Sequence, residues 1–457
     1  MPVFAVVLSM LLTVSQPPLR LHPANERYFE FRGKPTVLVT SGEHYGAVLN
    51  LDFDYARYLD ELQSRGFNLT RTFSGTYRET PGSFKIEHNT LAPKPGRYTS
   101  PWIEKGGKYD LDAFDDAYFR RLKSFMAEAS TRGVVVEYVL FCPFYEDGLW
   151  AISPMNARNN VNRIGDCPRE EVFTLKHPKL LDRQLAFVRR AVAELNAFDN
   201  LYFEICNEPY FGGVTLDWQK KVAETIAAVE KGLPNTHLIA QNIANGSAKI
   251  DKPDPNVSIF NFHYASPPDA IRENRGLSRP IGFDETGFKG TADAVYRREA
   301  WEFLLSGGAV FSHLDYSFTI DHPDGTAKIV DPTPGGGGPE FRRQLSILKK
   351  FIDGLDLTKT RPINARLASR DGGARPVIGL VDTGKPLFVF YASAGPRAKF
   401  SFMLPPKAYK IEWIEPATGA VVKTERVDVL DAGAETVMES PEYREDVALR
   451  ISIPGES

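Results

Sequence analysis

Short apolar runs alternate with longer segments of helical periodicity over most of the chain. In the segment 52–65, Tyr58, Leu59 and Leu62 recur at helical spacing, and Gly66 follows as a stop signal. The run from Val134 to Phe141 is apolar except for one glutamate, which is typical of a strand buried on both faces. The pattern therefore predicts buried strands that alternate with amphipathic helices.

Eight strands are predicted in this way, and they fall in order between the helical segments. The predicted strands cover 36–40, 67–73, 134–141, 201–208, 237–241, 258–264, 281–285 and 309–316, and the predicted helices 52–65, 112–132, 177–196, 215–231, 292–305 and 341–352. The pattern is poorest where the fifth and sixth helices are expected. Such alternation indicates a parallel sheet with helices outside, and eight units indicate a closed (β/α)8 TIM barrel.

The sequence pattern changes after Gly354: short predicted strands are separated by turn residues, and no long helical segment follows. This spacing predicts a small C-terminal all-β sandwich domain. The expected strands are 378–381, 387–391, 400–403, 409–414, 421–429 and 447–453. The sequence leaves open whether this domain binds sugar or braces the barrel. We expect a leader at 1–21, the barrel at 22–356 and the β-domain at 365–457.

The first fourteen residues are apolar but too short to span a membrane as a helix. They have the length of a signal-peptide core, although a basic start and a clear cleavage site are missing. The alternatives are an exported protein, secreted or periplasmic, and an ordinary disordered start of the chain. No later apolar run is long enough to cross a membrane.

Composition and charge exclude some classes of partner. The 457 residues carry a net charge of −3, so no basic field favours nucleic acid or anionic lipid. The three cysteines, Cys142, Cys167 and Cys206, form neither a disulfide framework nor a Cys-x-x-Cys metal pair. Two alternatives stay open: a disulfide between Cys142 and Cys167 across one long loop, or three buried thiols. The oligomeric state is not predicted.

Candidate chemistry lies at the ends of two predicted strands. The strand from Leu201 ends in Asn207-Glu208-Pro209, and a second short apolar strand ends in Asp284-Glu285. In a parallel barrel the carboxyl ends of the strands carry the chemistry. Glycoside hydrolysis needs two carboxyl groups, one to donate a proton and one to act as an ionised nucleophile or base.

The Asn-Glu-Pro triplet, the later glutamate and the strand count together resemble clan A glycoside hydrolases, the (β/α)8 retaining glycosidases that include family 5 cellulases and mannanases. The resemblance covers about residues 22–355. It implies that Glu208 is the general acid/base, that Glu285 is the nucleophile and that Asn207 holds a sugar hydroxyl. It also implies that Arg71, on the second strand, lies near the nucleophile. No metal or cofactor is required by this chemistry, and none is expected.

Further substrate-binding candidates follow from the same resemblance and from the residues of the predicted loops. Clan members often show His-x-Tyr after the sixth strand; here His263 and Tyr264 are adjacent, and both are kept. Where the clan often has a tryptophan after the eighth strand, this chain has Tyr316 or His313. His44, in the loop after the first strand, and Trp150, in the long loop 142–172, complete the set. A second long loop, 74–109, contains Tyr98 and Trp102 as possible substrate-facing rings.

Several alternatives stay open at this stage. Asp284 is the rival of Glu285, because neighbours on a strand point to opposite faces. Arg71 is alternatively a structural partner of Glu204, which should share a face with Glu208. The function expected is a retaining β-glycoside hydrolase acting on a carbohydrate, with the two carboxyl groups about 5–5.5 Å apart. The alternative is a barrel that binds glycan, or an adhesion protein, without catalysis.

Overall fold

The computed structural model describes residues 16–367, 377–382, 384–385, 387–393, 395–431 and 435–455. Residues 1–15 of the predicted leader lie outside the described residues. Within the described ranges the strands are β1 (Arg20–His22), β2 (Asn25–Phe31), β3 (Lys34–Thr36), β4 (Leu38–Gly42), β5 (Leu69–Phe73), β6 (Trp102–Lys105), β7 (Lys108–Phe114), β8 (Val135–Val139), β9 (Leu201–Glu204), β10 (Leu238–Asn245), β11 (Ile259–His263), β12 (Ile281–Glu285), β13 (Val310–Leu314), β14 (Thr360–Leu367), β15 (Val377–Asp382), β16 (Leu387–Ser393), β17 (Lys399–Met403), β18 (Ala408–Ile414), β19 (Val421–Asp428), β20 (Glu435–Glu439) and β21 (Asp446–Ser452).

The helices of the same ranges surround the barrel strands, and three of them begin at a side-chain cap. Asp54, Asp115 and Thr215 accept hydrogen bonds from the first backbone amides of three helices, which satisfies donors that have no partner within the helix. The helices are α1 (Tyr55–Ser64), α2 (Asp116–Thr131), α3 (Asp147–Ala151), α4 (Pro178–Leu195), α5 (Leu216–Glu230), α6 (Asp269–Glu273), α7 (Asp293–Leu305) and α8 (Pro339–Asp353). No helix in the described part of the chain is long and apolar enough to cross a membrane.

Eight parallel strands form the barrel, in the order β4-β13-β12-β11-β10-β9-β8-β5. The predicted fold class, a TIM barrel followed by a β-domain, is confirmed. The backbone ladder is interrupted between β4 and β5, and the side chain of Asn68 bridges this seam. Its Oδ1 accepts from the Val39 amide at 3.0 Å, and its Nδ2 donates to the Val37 carbonyl at 2.9 Å. The barrel is therefore closed in part by one side chain.

The small sheet β1-β2-β3 lies at the amino ends of the barrel strands. Arg32, which follows β2, binds Asp199 through Nε at 2.7 Å, and Asp199 lies just before β9. The Leu19 amide donates to the Asp199 carbonyl, so the chain on both sides of β1 and β2 is tied to the barrel floor. The opposite, carboxyl end of the barrel is left for the long loops.

Three details differ from the predicted elements. The loop 74–109 contains β6, which pairs with β7 as a hairpin, so the helix expected from residue 112 begins only at Asp116. A loop without regular helix follows β10, and the sixth helix is the short α6. The two poorest helix predictions are thus the positions where the barrel departs from regular alternation.

The C-terminal strands are all antiparallel, in the order β19-β18-β21-β16-β15-β14-β17-β20. β14 pairs with β15 along its first part and with β17 at its end, so it connects two layers. Phe400 on β17 packs within 5.8 Å of Phe390 and 5.7 Å of Trp413, measured between ring centroids. These rings fill the space between the layers, as expected for a sandwich. The strands β14 and β20 were not predicted.

Candidate active site

Glu208 and Glu285 lie at the carboxyl ends of two barrel strands, β9 and β12, with β10 and β11 between them. After β9 the chain stays tied to adjacent strands, since the Ile205 amide donates to Ala240 and the Asn207 amide donates to Phe141. Glu208 then adopts a φ of 36°, in the left-handed region that non-glycine residues rarely occupy. This conformation turns its side chain into the barrel mouth, in the loop that follows the end of β9 at Glu204.

His263 bridges the two glutamates. Its Nδ1 lies 3.1 Å from Glu208 Oε1 and 3.3 Å from Glu285 Oε1. An oxygen of Glu208, an oxygen of Glu285 and a ring nitrogen of His263 all lie within 4.8 Å of one another. Burial alone would lower the pKa of His263, but Glu285 and Asp284 outweigh it and hold that pKa well above its ordinary value. The ring is therefore an imidazolium between two carboxyl groups.

Glu285 is surrounded by donors. The Tyr264 hydroxyl donates to Oε1 at 2.7 Å, the Tyr45 hydroxyl donates to Oε2 at 2.9 Å, and Arg71 Nη1 lies 3.4 Å from Oε2. Burial would raise the pKa of Glu285, but His263, Arg71 and the Tyr264 hydroxyl together lower it below its ordinary value. Glu285 is thus ionised, which a nucleophile requires.

Glu208 has a different set of neighbours. The Tyr145 hydroxyl donates to its Oε2 at 2.6 Å, and the Tyr210 hydroxyl lies 3.2 Å from its Oε1. Tyr145 in turn accepts from Asn207 Nδ2 at 2.8 Å, and Asn207 Oδ1 accepts from Arg71 at 2.7 Å. Asn207 is therefore fixed between the environments of the two glutamates.

Both members of the adjacent pair His263 and Tyr264 point into the site, because the backbone is irregular there. The register between β11 and β12 shifts after Phe262, and Tyr264 has a φ of 50°.

The same shift overturns the expectation that only one of Asp284 and Glu285 faces inward. Asp284 is fully buried, 3.6 Å from Arg71 Nε and 3.5 Å from His263 Nε2. Only Glu285 of the two reaches the cavity described below.

Arg71 forms the floor of the site. Its Nη2 donates to Glu204 Oε1 at 2.5 Å, and its Nε lies 3.7 Å from Glu137 Oε2. The two readings of Arg71 are therefore both realised, since it contacts Glu204 and Glu285. Burial raises the pKa of Glu204 to about 7 against the opposing charge of Arg71. Asn261 Nδ2 donates to both Glu137 and Glu204.

Two trios of side chains have the donor atoms for a metal ion: Glu208, His263 and Glu285, and below them Glu137, Glu204 and Asp284. In both trios a cationic group already neutralises the carboxylates. Arg71 lies within 3.7 Å of all three members of the lower trio, and the imidazolium of His263 is part of the upper one. These charges oppose a further cation, so the residues fit an acid–base site better than a metal centre.

A cavity of about 260 Å³ opens above the two glutamates. Its buried lining includes His44, Asn207 and Glu79, and Tyr264 contributes a partly exposed wall. Three exposed phenylalanines, Phe84, Phe211 and Phe288, stand among its lining residues. The cavity is smaller than the roughly 300–1,000 Å³ of pockets for drug-sized ligands, so it suits a small unit such as one sugar ring.

Four predicted substrate-binding residues lie outside this lining: Arg71 and His263, which contact the glutamates directly, and Tyr316 and Trp150. Tyr316 stands behind it, with its ring centroid 6.1 Å from that of His44 and 6.2 Å from that of Phe288. Trp150 packs on Phe144 and donates from Nε1 to the Cys167 carbonyl at 2.9 Å, so its ring is used in the loop core. The position of Trp150 does not support a substrate contact.

Other sequence candidates are also buried away from the cavity. Trp102 is 1% exposed and packs against Phe187. His313 lies between the rings of Tyr296 and Phe341, which makes it a core residue. Cys142 and Cys167 are both free thiols, so the pairing left open by the sequence is not formed.

Comparison with known proteins adds to the fold. No protein-family model matches the chain, and no curated protein matches it by sequence. Among solved structures, a glycoside hydrolase is similar with a TM-score of 0.66 and 15% identity, over 97% of this chain and 98% of that chain. A family 5 glycoside hydrolase from Bacteroides vulgatus has a TM-score of 0.66 and 14% identity, over 96% and 94%. The fold is that of family 5 glycoside hydrolases.

On this family 5 fold, several site residues escaped the sequence-based prediction. Tyr45 directly follows His44, and Tyr145 lies in the loop after β8, yet neither was assigned a role at the glutamates. Tyr210 lies only two residues after Glu208, so of these residues it was the easiest to assign from the sequence. Glu79 lies in the loop after β5 with no motif around it, so the sequence carried no signal for it.

Proposed function

We propose that this protein is a retaining β-glycoside hydrolase. The observation that carries the proposal is the pair of carboxyl groups with oxygens within 4.8 Å of each other, one of them ionised. This spacing suits direct attack by a carboxylate, whereas inverting enzymes leave about 6.5–9.5 Å for a water molecule. The family 5 fold supports the same reading, although fold alone does not assign function.

The proposed mechanism has two steps. Glu285 attacks the anomeric carbon while Glu208 donates a proton to the leaving oxygen, which gives a glycosyl-enzyme ester and a free alcohol. Glu208 then accepts a proton from water, and the water oxygen attacks the anomeric carbon and releases Glu285. Asn207, held by Arg71 and Tyr145, is positioned to bind a hydroxyl of the reacting sugar.

The test is hydrolysis of a panel of 4-nitrophenyl β-glycosides by the wild type and by the variants Glu208→Ala and Glu285→Ala. We expect Glu285→Ala to fall to background and Glu208→Ala to lose about 10²–10⁴-fold in rate. Glu87→Ala, at an exposed loop position, is the matched control and should keep full activity. NMR of the first product should show the β-anomer.

Added azide separates the two roles. Azide should restore turnover of Glu208→Ala with a β-glycosyl azide as product, and of Glu285→Ala with an α-glycosyl azide. An α-anomer as the first product of the wild type would contradict a retaining mechanism. A wild type that binds glycans but hydrolyses none of the panel would favour the alternative, a glycan-binding barrel without catalysis.

A further inference from the structure

A third carboxylate lines the cavity, and the proposed chemistry does not use it. Glu79, in the loop after β5, is only 5% exposed. The Tyr77 hydroxyl donates to its Oε1 at 3.1 Å, and Asn89 Nδ2 donates to its Oε2 at 2.5 Å. An ionised carboxylate has about four acceptor positions, so two are left when these donors are counted. The free positions belong to a side chain that borders the cavity.

His44 stands beside Glu79 with hydrogen-bonding capacity of its own. Its Nε2 lies 3.8 Å from Glu79 Oε1, and its Nδ1 is buried without a hydrogen-bond partner among the described residues. Burial lowers the pKa of His44 to about 4, so the ring is neutral at physiological pH and offers one donor and one acceptor. Buried polar groups are normally satisfied, and here a ligand in the cavity is the available partner.

The surroundings hold Glu79 in place. Its backbone amide donates to the Leu91 carbonyl at 2.8 Å, and Asn89 Oδ1 accepts from the Leu91 amide at 2.8 Å. One short loop therefore supplies both the backbone anchor and a side-chain donor. A carboxylate fixed in this way can select the positions of ligand hydroxyls rather than follow them.

The two ends of the cavity differ in character. Tyr145, which donates to Glu208, has its ring centroid 5.2 Å from that of Phe84 and 6.0 Å from that of Phe211. A leaving group protonated by Glu208 thus lies on this aromatic side. The ring of His44 instead packs within 5.5 Å of Tyr45, which donates to Glu285. His44 and Glu79 therefore face the sugar whose anomeric carbon meets Glu285.

We propose that Glu79, together with His44, binds two neighbouring hydroxyl groups of that sugar and thereby selects the glycone. The inference deepens the proposed function, on which the orientation of the substrate rests. Above about pH 7, where Glu79 is ionised, hydrogen bonds from hydroxyls to its carboxylate are charge-assisted and stronger than neutral ones. A buried acceptor of this kind discriminates against sugars that lack the hydroxyl or present it on the other face.

The test compares Glu79→Gln with Glu87→Gln, the same substitution at an exposed position of the same loop. Each is assayed with a cleaved 4-nitrophenyl β-glycoside and with its monodeoxy analogues. For the wild type we expect removal of either of two adjacent hydroxyls to lower kcat/KM by about 10²-fold or more. In Glu79→Gln, kcat/KM for the parent glycoside should fall by a similar factor, and the penalty for those two deoxy sugars should largely disappear. Glu87→Gln should match the wild type.

A uniform loss across the parent and all deoxy sugars would show that Glu79 only supports the loop, and would overturn the inference. His44→Ala is the second variant in case Glu79→Gln folds poorly, and it should relax selectivity for at least one of the same hydroxyls. If the wild type cleaves no glycoside, the proposed function fails, and binding of methyl β-glycosides, followed by saturation-transfer NMR, decides the inference. Binding that is lost in Glu79→Gln alone supports it, and equal binding, or none to the wild type, overturns it.

Discussion

At the scale of single residues, the buried carboxyl groups of the site differ in their pKa values. The pKa values of Glu285 and Asp284 lie below their ordinary values because both residues contact His263 and Arg71. Burial raises the pKa of Glu79 to about 7, since its two neutral donors compensate burial only in part. Carboxyl groups that line one cavity therefore lose their protons at different pH values, Glu285 first and Glu79 only near neutral pH.

The raised pKa of Glu79 predicts a pH dependence of stability. Between the ordinary pKa of 4.5 and about 7, the folded state binds a proton that the unfolded state has released. Stability contributed by this group is thus present at low pH and is lost as the pH rises through 7, by up to about 3 kcal/mol. In calorimetry at pH 5 and pH 8, Glu79→Gln should lose less stability over this interval than the wild type. An unchanged difference between the two proteins would argue against a raised pKa.

The tyrosines at Glu285 predict a shift in the pH profile of activity. Tyr264→Phe removes a hydroxyl that donates to Glu285 at 2.7 Å, and this bond favours the ionised form. The pKa of Glu285 should therefore rise, and the acidic limb of the kcat/KM profile should move to higher pH. Tyr55→Phe, which loses only a surface bond to Ser124, is the control. A lower kcat with an unmoved acidic limb would contradict this electrostatic role.

At the scale of elements, Asn68 substitutes for missing ladder bonds between β4 and β5. Asn68→Ala leaves the Val39 amide and the Val37 carbonyl without these partners, at a cost of about 1–3 kcal/mol for each group that stays unsatisfied. Asn68→Asp keeps the acceptor for Val39 but sets a carboxylate oxygen against the Val37 carbonyl oxygen, so it should also be less stable than the wild type. Urea unfolding of the three proteins measures the order. Equal stability of Asn68→Ala and the wild type would show that the seam needs no bridge.

The elements with strong periodicity were predictable from the sequence. Helix α1 and strand β8 agree with their predicted positions to within about three residues, because burial of one face or of both faces leaves a regular pattern. The hairpin of β6 and β7 was not predictable, since β6 is short and lies in a Pro- and Gly-rich loop and β7 runs into the start of the predicted helix. The seam at Asn68 was equally hidden, because it depends on side-chain contacts between two strands that leave no periodic pattern.

Within the site, motif residues were predictable and their irregular backbone was not. Glu208 and Glu285 could be selected because each ends an apolar strand, where a carboxylate is unexpected. The inward position of Asp284 depends on a register shift between β11 and β12, which breaks the two-residue alternation used in the prediction. Trp150 was named as a substrate contact but packs in a loop core. An aromatic residue in a loop can pack locally as readily as it can contact a ligand, and the sequence does not distinguish the two.

On the scale of the whole molecule, α7 joins the barrel to the β-domain. Arg297 on α7 makes two bonds to Asp446 of β21, at 2.9 Å through Nε and 3.0 Å through Nη2. Asp446 also accepts from the Tyr391 hydroxyl at 2.7 Å, and the Tyr391 ring stacks on Trp301 with centroids 5.5 Å apart. A buried ion pair and an aromatic stack thus occupy the same contact, which favours a bracing role for the β-domain.

This contact predicts that Arg297→Met weakens the joint without changing the site. The variant leaves Asp446 buried without its cation, and breaking a buried pair in this way costs about 3–5 kcal/mol. Calorimetry should show the β-domain unfolding in a separate transition at lower temperature, while kcat/KM at 25 °C stays near that of the wild type. Arg298→Ala, the next residue on α7, loses only a bond to the Ala294 carbonyl and should leave the transition unchanged.

Adding Asp446→Asn to Arg297→Met should recover part of the loss, because it removes the uncompensated charge. A double variant no more stable than Arg297→Met would mean that packing of Trp301 on Tyr391, and not the ion pair, holds the two parts together.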